Sequence, residues 1–124
     1  MQIKISKELL SAVLGVNVTD IRYEIQSQEN VLFYETDDIN VKRKFSPMYP
    51  YVNLFELMHK CKEWANNLSG KRYQLYSGIA PISLGYSTCE VYSGAINQGV
   101  SFEANTELEA VIMACDWITG KLGW

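Results

Sequence analysis

Between Lys71 and Ala104 the apolar residues of the chain keep a two-residue rhythm, and the tract is flanked by two segments whose apolar residues recur at helical spacing. Tyr73, Leu75, Ile82, Leu84, Tyr86, Val91, Tyr92, Val100 and Phe102 carry this pattern, with Gly78, Gly85, Gly94 and Gly99 marking turns or bulges. Successive side chains of a strand point to opposite faces, so such a tract forms strands with one face to bury. Strands joined by short loops pair antiparallel. Three are expected, roughly at 71–76, 82–92 and 99–104.

The flanking segments supply the cover. Asn53 stands as a helix cap with Glu56 three residues on, and Leu54, Leu57, Met58, Cys61, Trp64, Ala65 and Leu68 follow as one stripe that Ser69-Gly70 ends. Thr106-Glu107-Leu108-Glu109 is a capping box ahead of Leu108, Val111, Ile112, Cys115, Ile118 and Leu122. A shorter opening helix is capped by Ser6, carries Leu9, Leu10, Val13 and Leu14, and stops at Gly15. Ile21–Ile25 and Val31–Tyr34 read as a hairpin around the polar 26–30. Asp37-Asp38 is a turn, and Ile39–Phe45 alternates as a half-buried strand does, with Lys42, Arg43 and Lys44 as solvated edge charges. Pro47 and Pro50 hold 45–51 out of helical conformation. The expected fold is α+β, an antiparallel β-sheet packed against two or three amphipathic helices, in a single domain spanning 1–124.

A net charge of −3 and a pI near 5.1 count against a nucleic-acid surface, which needs clustered Lys and Arg to displace counterions. A charged partner, if there is one, is better basic. Three widely spaced cysteines, Cys61, Cys89 and Cys115, are no disulfide framework. The N-terminal residues lack a signal-peptide apolar stretch, and no run approaches the ~20 apolar residues of a membrane helix. The expectation is a chain in the cytoplasm of a host cell, with reduced thiols and no membrane association.

Chemistry finds little footing. His59, the sole histidine, lies two residues from Cys61, and side chains two apart on a helix diverge by about 200°, so the two cannot meet as base and nucleophile. Cys89 or Cys115 could meet it only through the fold. No cysteine pair has C-x-x-C spacing for zinc, and the acidic pairs Asp37-Asp38 and Glu107 with Glu109 belong to a turn and a cap. The glycines fit turns rather than a phosphate loop. No catalytic, metal or cofactor-binding residue is assigned, and no cofactor is expected. The unusual feature is eight tyrosines, a residue type that buries a large rigid area while keeping a polar tip. Met48, Tyr49, Tyr51, Tyr86 and Tyr92 are the candidate protein-binding residues.

Leu9-Leu10-Ser11-Ala12-Val13-Leu14-Gly15, the central Phe45-Ser46-Pro47 leading to a helix with Trp64, and the closing Ala104-Asn105-Thr106-Glu107-Leu108-Glu109-Ala110-Val111-Ile112-Met113-Ala114 occur here in one order. In this the chain resembles the small phage proteins of the α/β/α-sandwich and NinX-like group. The resemblance spans most of the chain and implies a phage or prophage origin, with no activity or catalytic residues to carry over. The tyrosine- and glycine-rich 73–99 and the 21–34 hairpin depart from that pattern.

The leading expectation is therefore a non-enzymatic accessory protein of phage or mobile-element origin that binds a host protein or itself, as an inhibitor of a host defence or regulatory protein. The alternatives are a small enzyme with a cysteine nucleophile, Cys89 or Cys115, and an accessory component of a virion or replication complex.

Overall fold

A computed structural model describes residues 3–23, 30–68, 72–79, 86–93 and 96–124. Its elements run α1 (Lys7–Leu14), β1 (Val18–Ile21), β2 (Val31–Thr36), α2 (Ile39–Phe45), β3 (Tyr51–Asn53), α3 (Leu54–Asn66), β4 (Tyr73–Ile79), β5 (Ser87–Ser93), β6 (Ile96–Ala104) and α4 (Glu107–Lys121). The fold is α+β, with the strands divided between two antiparallel three-stranded sheets, β1-β2-β3 and β4-β5-β6. The chain separates into two compact units, Met1–Leu57 and Met58–Trp124.

In the first unit, local hydrogen bonds set the helix ends. The Ser6 hydroxyl accepts from the Leu9 amide at 3.1 Å, and Gly15 closes α1 at φ 72°, a conformation that costs glycine nothing. β2 is the central strand, paired on one side with β1 (Ile21↔Tyr34) and on the other with β3 (Leu32↔Val52), and Leu32, Phe33 and Tyr34 are all buried. That continuous burial is why the segment carries no alternation. Ile3, Ile5, Leu9, Leu10, Val18, Ile21, Val52 and Leu57 are its other buried apolar residues among those described.

The first unit departs from its sequence pattern in two places. Ile39–Phe45 is a helix, because Asp38 caps it: Oδ1 accepts from the amides of Asn40 at 2.9 Å and Val41 at 3.3 Å. Lys42, Arg43 and Lys44 thus lie in the last turn of a helix, where cations suit the helix dipole, and not on a strand edge. The end of the proline loop, Tyr51–Asn53, is a strand that pairs with Val31–Phe33. Of the expected 21–34 hairpin, 24–29 lie outside the described residues, and the first strand begins at Val18, ahead of Ile21.

The Asn53 cap stands as read, with Oδ1 accepting from Phe55 at 2.9 Å and Glu56 at 3.3 Å. The second unit then places α4 across one face of β4-β5-β6. Leu75, Val91 and Cys89 face inward from β4 and β5, whereas Gln74, Tyr76, Glu90 and Tyr92 are exposed on the other face. Helix α4 buries Leu108, Ala110, Val111, Ile112, Ala114, Cys115 and Ile118. Thr106 starts it, its hydroxyl accepting from the Glu109 amide at 3.2 Å and donating to Glu109 Oε1 at 3.0 Å. The Ser69-Gly70 stop and the 82–85 part of the expected second strand lie outside the described residues.

Candidate functional site

The proline-aromatic segment and the residues it faces form a surface cleft of the first unit. Thr19, Glu35, Thr36, Asp37, Lys42 and 46–50 line a cleft of about 540 Å³. β2 supplies Glu35 and Thr36, α2 supplies Lys42, and Pro47 and Pro50 restrict the chain between them. Met48 and Tyr49 are 60% and 40% exposed and stand side by side at this cleft. Its two carboxylates, Glu35 and Asp37, outnumber its one ammonium, Lys42.

The cleft wall is held by polar contacts. Thr36 donates to the Asn17 carbonyl at 2.6 Å and accepts from the Asp38 amide at 3.1 Å, and Asn17 Nδ2 donates to Asp37 Oδ2 at 2.9 Å. The Arg22 guanidinium sits 5.1 Å from the Tyr49 ring centroid, with Nη2 3.4 Å from its hydroxyl, and also lies 3.4 Å from Glu35. Tyr49 therefore has an intramolecular partner that its sequence surroundings did not disclose, because Arg22 reaches it from a distant strand end. Tyr51 points elsewhere. Its ring meets Phe45 edge-on at 5.1 Å and Phe33 at 5.8 Å, completing an aromatic cluster.

The remaining candidates belong to the second unit. Tyr92 lies on the exposed face of the sheet, its hydroxyl donating to Glu90 Oε2 at 2.9 Å, and that hydrogen bond is the main cause that pushes the phenol up from its ordinary value. Tyr76, on the adjacent strand, meets Tyr92 edge-on at 5.7 Å and donates to Gln74 at 3.0 Å. Tyr86 is half-buried just before β5. The structure thus joins Met48 with Tyr49 and pairs Tyr92 with Tyr76. Cross-strand neighbours become visible only once the β4–β5 register is known.

The thiols gather in the core of the second unit. Cys61, Cys89 and Cys115 are free and fully buried, on α3, β5 and α4. Cys115 Sγ makes a long contact of 3.9 Å with the Cys61 carbonyl, and its thiol is pushed up first by hydrogen bonding to Cys61 and then by burial. Burial drives Cys89 to about 11, against a smaller opposing pull from Lys62. Cys89 and Cys115, both raised, stay protonated at neutral pH. His59 is exposed and pairs with Glu63 at 3.1 Å, one helical turn away. Among the described residues no three His, Cys, Asp or Glu side chains gather as a metal ion requires, and no helix is long and apolar enough to cross a membrane.

Set against models of known families, curated proteins and solved structures, the chain matches none.

Proposed function

We propose that the chain is a non-enzymatic accessory protein that works by binding another protein, and that the cleft beside Met48 and Tyr49 receives an apolar and basic segment of that partner. The observation that carries this reading is the pairing of Met48 and Tyr49, both solvent-exposed, with the carboxylates of Glu35 and Asp37 around one concavity. A thioether and a phenol ring suit the alkyl stem of a lysine or arginine, and carboxylates suit its charged end. Tyr49 is already steadied by Arg22, so little side-chain freedom is lost on docking. The burial of Cys89 and Cys115 counts against the alternative of a cysteine nucleophile. The resemblance of Phe45-Ser46-Pro47 and of 104–114 to small phage proteins supports a phage or mobile-element setting, in which host defence and regulatory proteins are the partners to try first.

The test is capture of host-cell proteins on the immobilised full chain, followed by affinity measurement with the purified partner. A stoichiometric partner that binds the wild type and Tyr92→Ala, but binds Tyr49→Ala roughly 5- to 150-fold more weakly, supports the cleft. A partner indifferent to both Tyr49→Ala and Met48→Ala overturns it.

A further inference from the structure

We infer that the open edge of β6 is a self-association surface, whose occupant is β6 of a second copy of the chain. Strand β6 pairs on one side with β5, and the β4-β5-β6 order leaves its other side without a strand among the described residues. An edge strand presents backbone N–H and C=O groups that only another extended backbone satisfies in series. The opposite edge is flanked: Lys62, Glu63 and Asn66 of α3 stand with Gln74, Leu75 and Tyr76 of β4 around a smaller cleft of about 350 Å³. The 99–104 stretch of β6 has none of the usual protections against strand addition. It contains no proline and no lysine, and Glu103 is its one charge.

The sequence of β6 suits pairing with itself. In an antiparallel two-fold arrangement centred on Ser101, Val100 falls opposite Phe102 of the second copy, and Glu103 falls opposite Gly99. Val100 and Phe102 are both half-buried on the face that α4 covers, so the pairing sets apolar against apolar beside existing cores. The two Glu103 side chains end four residues apart along the ladder, about 14 Å, which exceeds the screening length of about 8 Å at physiological salt. Ser101 meets its own copy at the axis, exposed and uncharged. The product is one continuous six-stranded sheet with an isologous interface.

The test is sedimentation of the full chain from about 1 to several hundred micromolar, with Ser101→Thr and Ser101→Lys alongside. A concentration-dependent dimer kept by Ser101→Thr, and weakened at least tenfold by the two ammonium groups that Ser101→Lys brings face to face, is the expected result. Thermal unfolding of dilute Ser101→Lys checks that the monomer still folds. Ser101→Cys oxidised with glutathione disulfide reads the register, because antiparallel partners directly opposite approach to about 5 Å between Cβ atoms. A disulfide dimer of Ser101→Cys, absent from the β4 variant Gln74→Cys, supports the edge. A chain monomeric throughout, a dimer indifferent to Ser101→Lys, or equal cross-linking at position 74 overturns it.

Discussion

The ring of Tyr92 lies directly over Gly99 of the neighbouring strand, where a Cβ at position 99 would stand 2.7 Å from its Cε1 and Cζ. Glycine weakens a strand by roughly 0.5–1 kcal/mol relative to alanine, and the ring covers the backbone that glycine leaves bare. Gly99→Ala must push the ring aside, away from its edge-on contact with Tyr76, a kind of contact worth about 0.5–1.5 kcal/mol. In a Tyr92→Ala background the same substitution meets no ring and becomes stabilising. A double-mutant cycle by urea unfolding should give a coupling of about 1 kcal/mol between the two positions, and a coupling near zero would mean that the ring does not rest there in solution.

Tyr49 and Tyr51, equally exposed and two residues apart, should differ in their effect on stability. Tyr49→Ala loses a surface contact with Arg22 worth about 0.5–1 kcal/mol. Tyr51→Ala strips two ring contacts from Phe33 and Phe45 and should cost about 1–3 kcal/mol. Denaturant midpoints in the reverse order would place Tyr49 in the core and remove it from the proposed site.

The buried thiols predict slow labelling and an alkaline loss of stability. Cys61→Ser or Cys115→Ser puts a hydroxyl into the core at a cost on the order of 1–3 kcal/mol, and a bulky thiol reagent should modify the folded wild type only at the rate of global opening. Cys89 titrates near 9 when unfolded and at about 11 when folded, so the folded state holds the proton more tightly. That contribution is fully present below pH 9 and is lost as the pH rises through 11, up to roughly 3 kcal/mol. Cys89→Ala should flatten the decline between pH 9 and 11, and an identical decline in the variant would show that other groups cause it.

In α4 the cap and the core should separate cleanly. Thr106→Ala removes the acceptor for the Glu109 amide, worth about 1 kcal/mol, whereas Ile112→Ala opens a cavity at a buried position and should cost roughly 2–5 kcal/mol. Urea unfolding of both variants measures the difference. Equal small effects would mean that the helix is peripheral to its sheet.

The capped ends of α1, α3 and α4 were legible in the sequence because each cap is a contact across three residues or fewer: Ser6 with Leu9, Asn53 with Glu56, Thr106 with Glu109. Period-two patterning likewise announced β4 to β6, since one face of that sheet lies under α4 and the other meets water. The same rule misled at Ile39–Phe45. There the alternation of apolar and charged residues mimics a strand, but α2 buries no residue that would enforce a period, and the Asp38 cap determines the conformation instead.

The strand Tyr51–Asn53 and the division into two sheets were decided by tertiary structure alone. A three-residue strand has too little pattern to read, and β3 exists because β2, about twenty residues earlier, offers its backbone groups as partners. The same holds at the candidate site. Local sequence marked Met48 and Tyr49 as restrained by prolines, but Glu35 and Asp37 reach them only through the β2–β3 pairing, and Arg22 only through β1–β2. Caps and periodicity act between near neighbours and are written in the order of residues, whereas strand pairing and side-chain convergence depend on which distant segments the buried surface brings together.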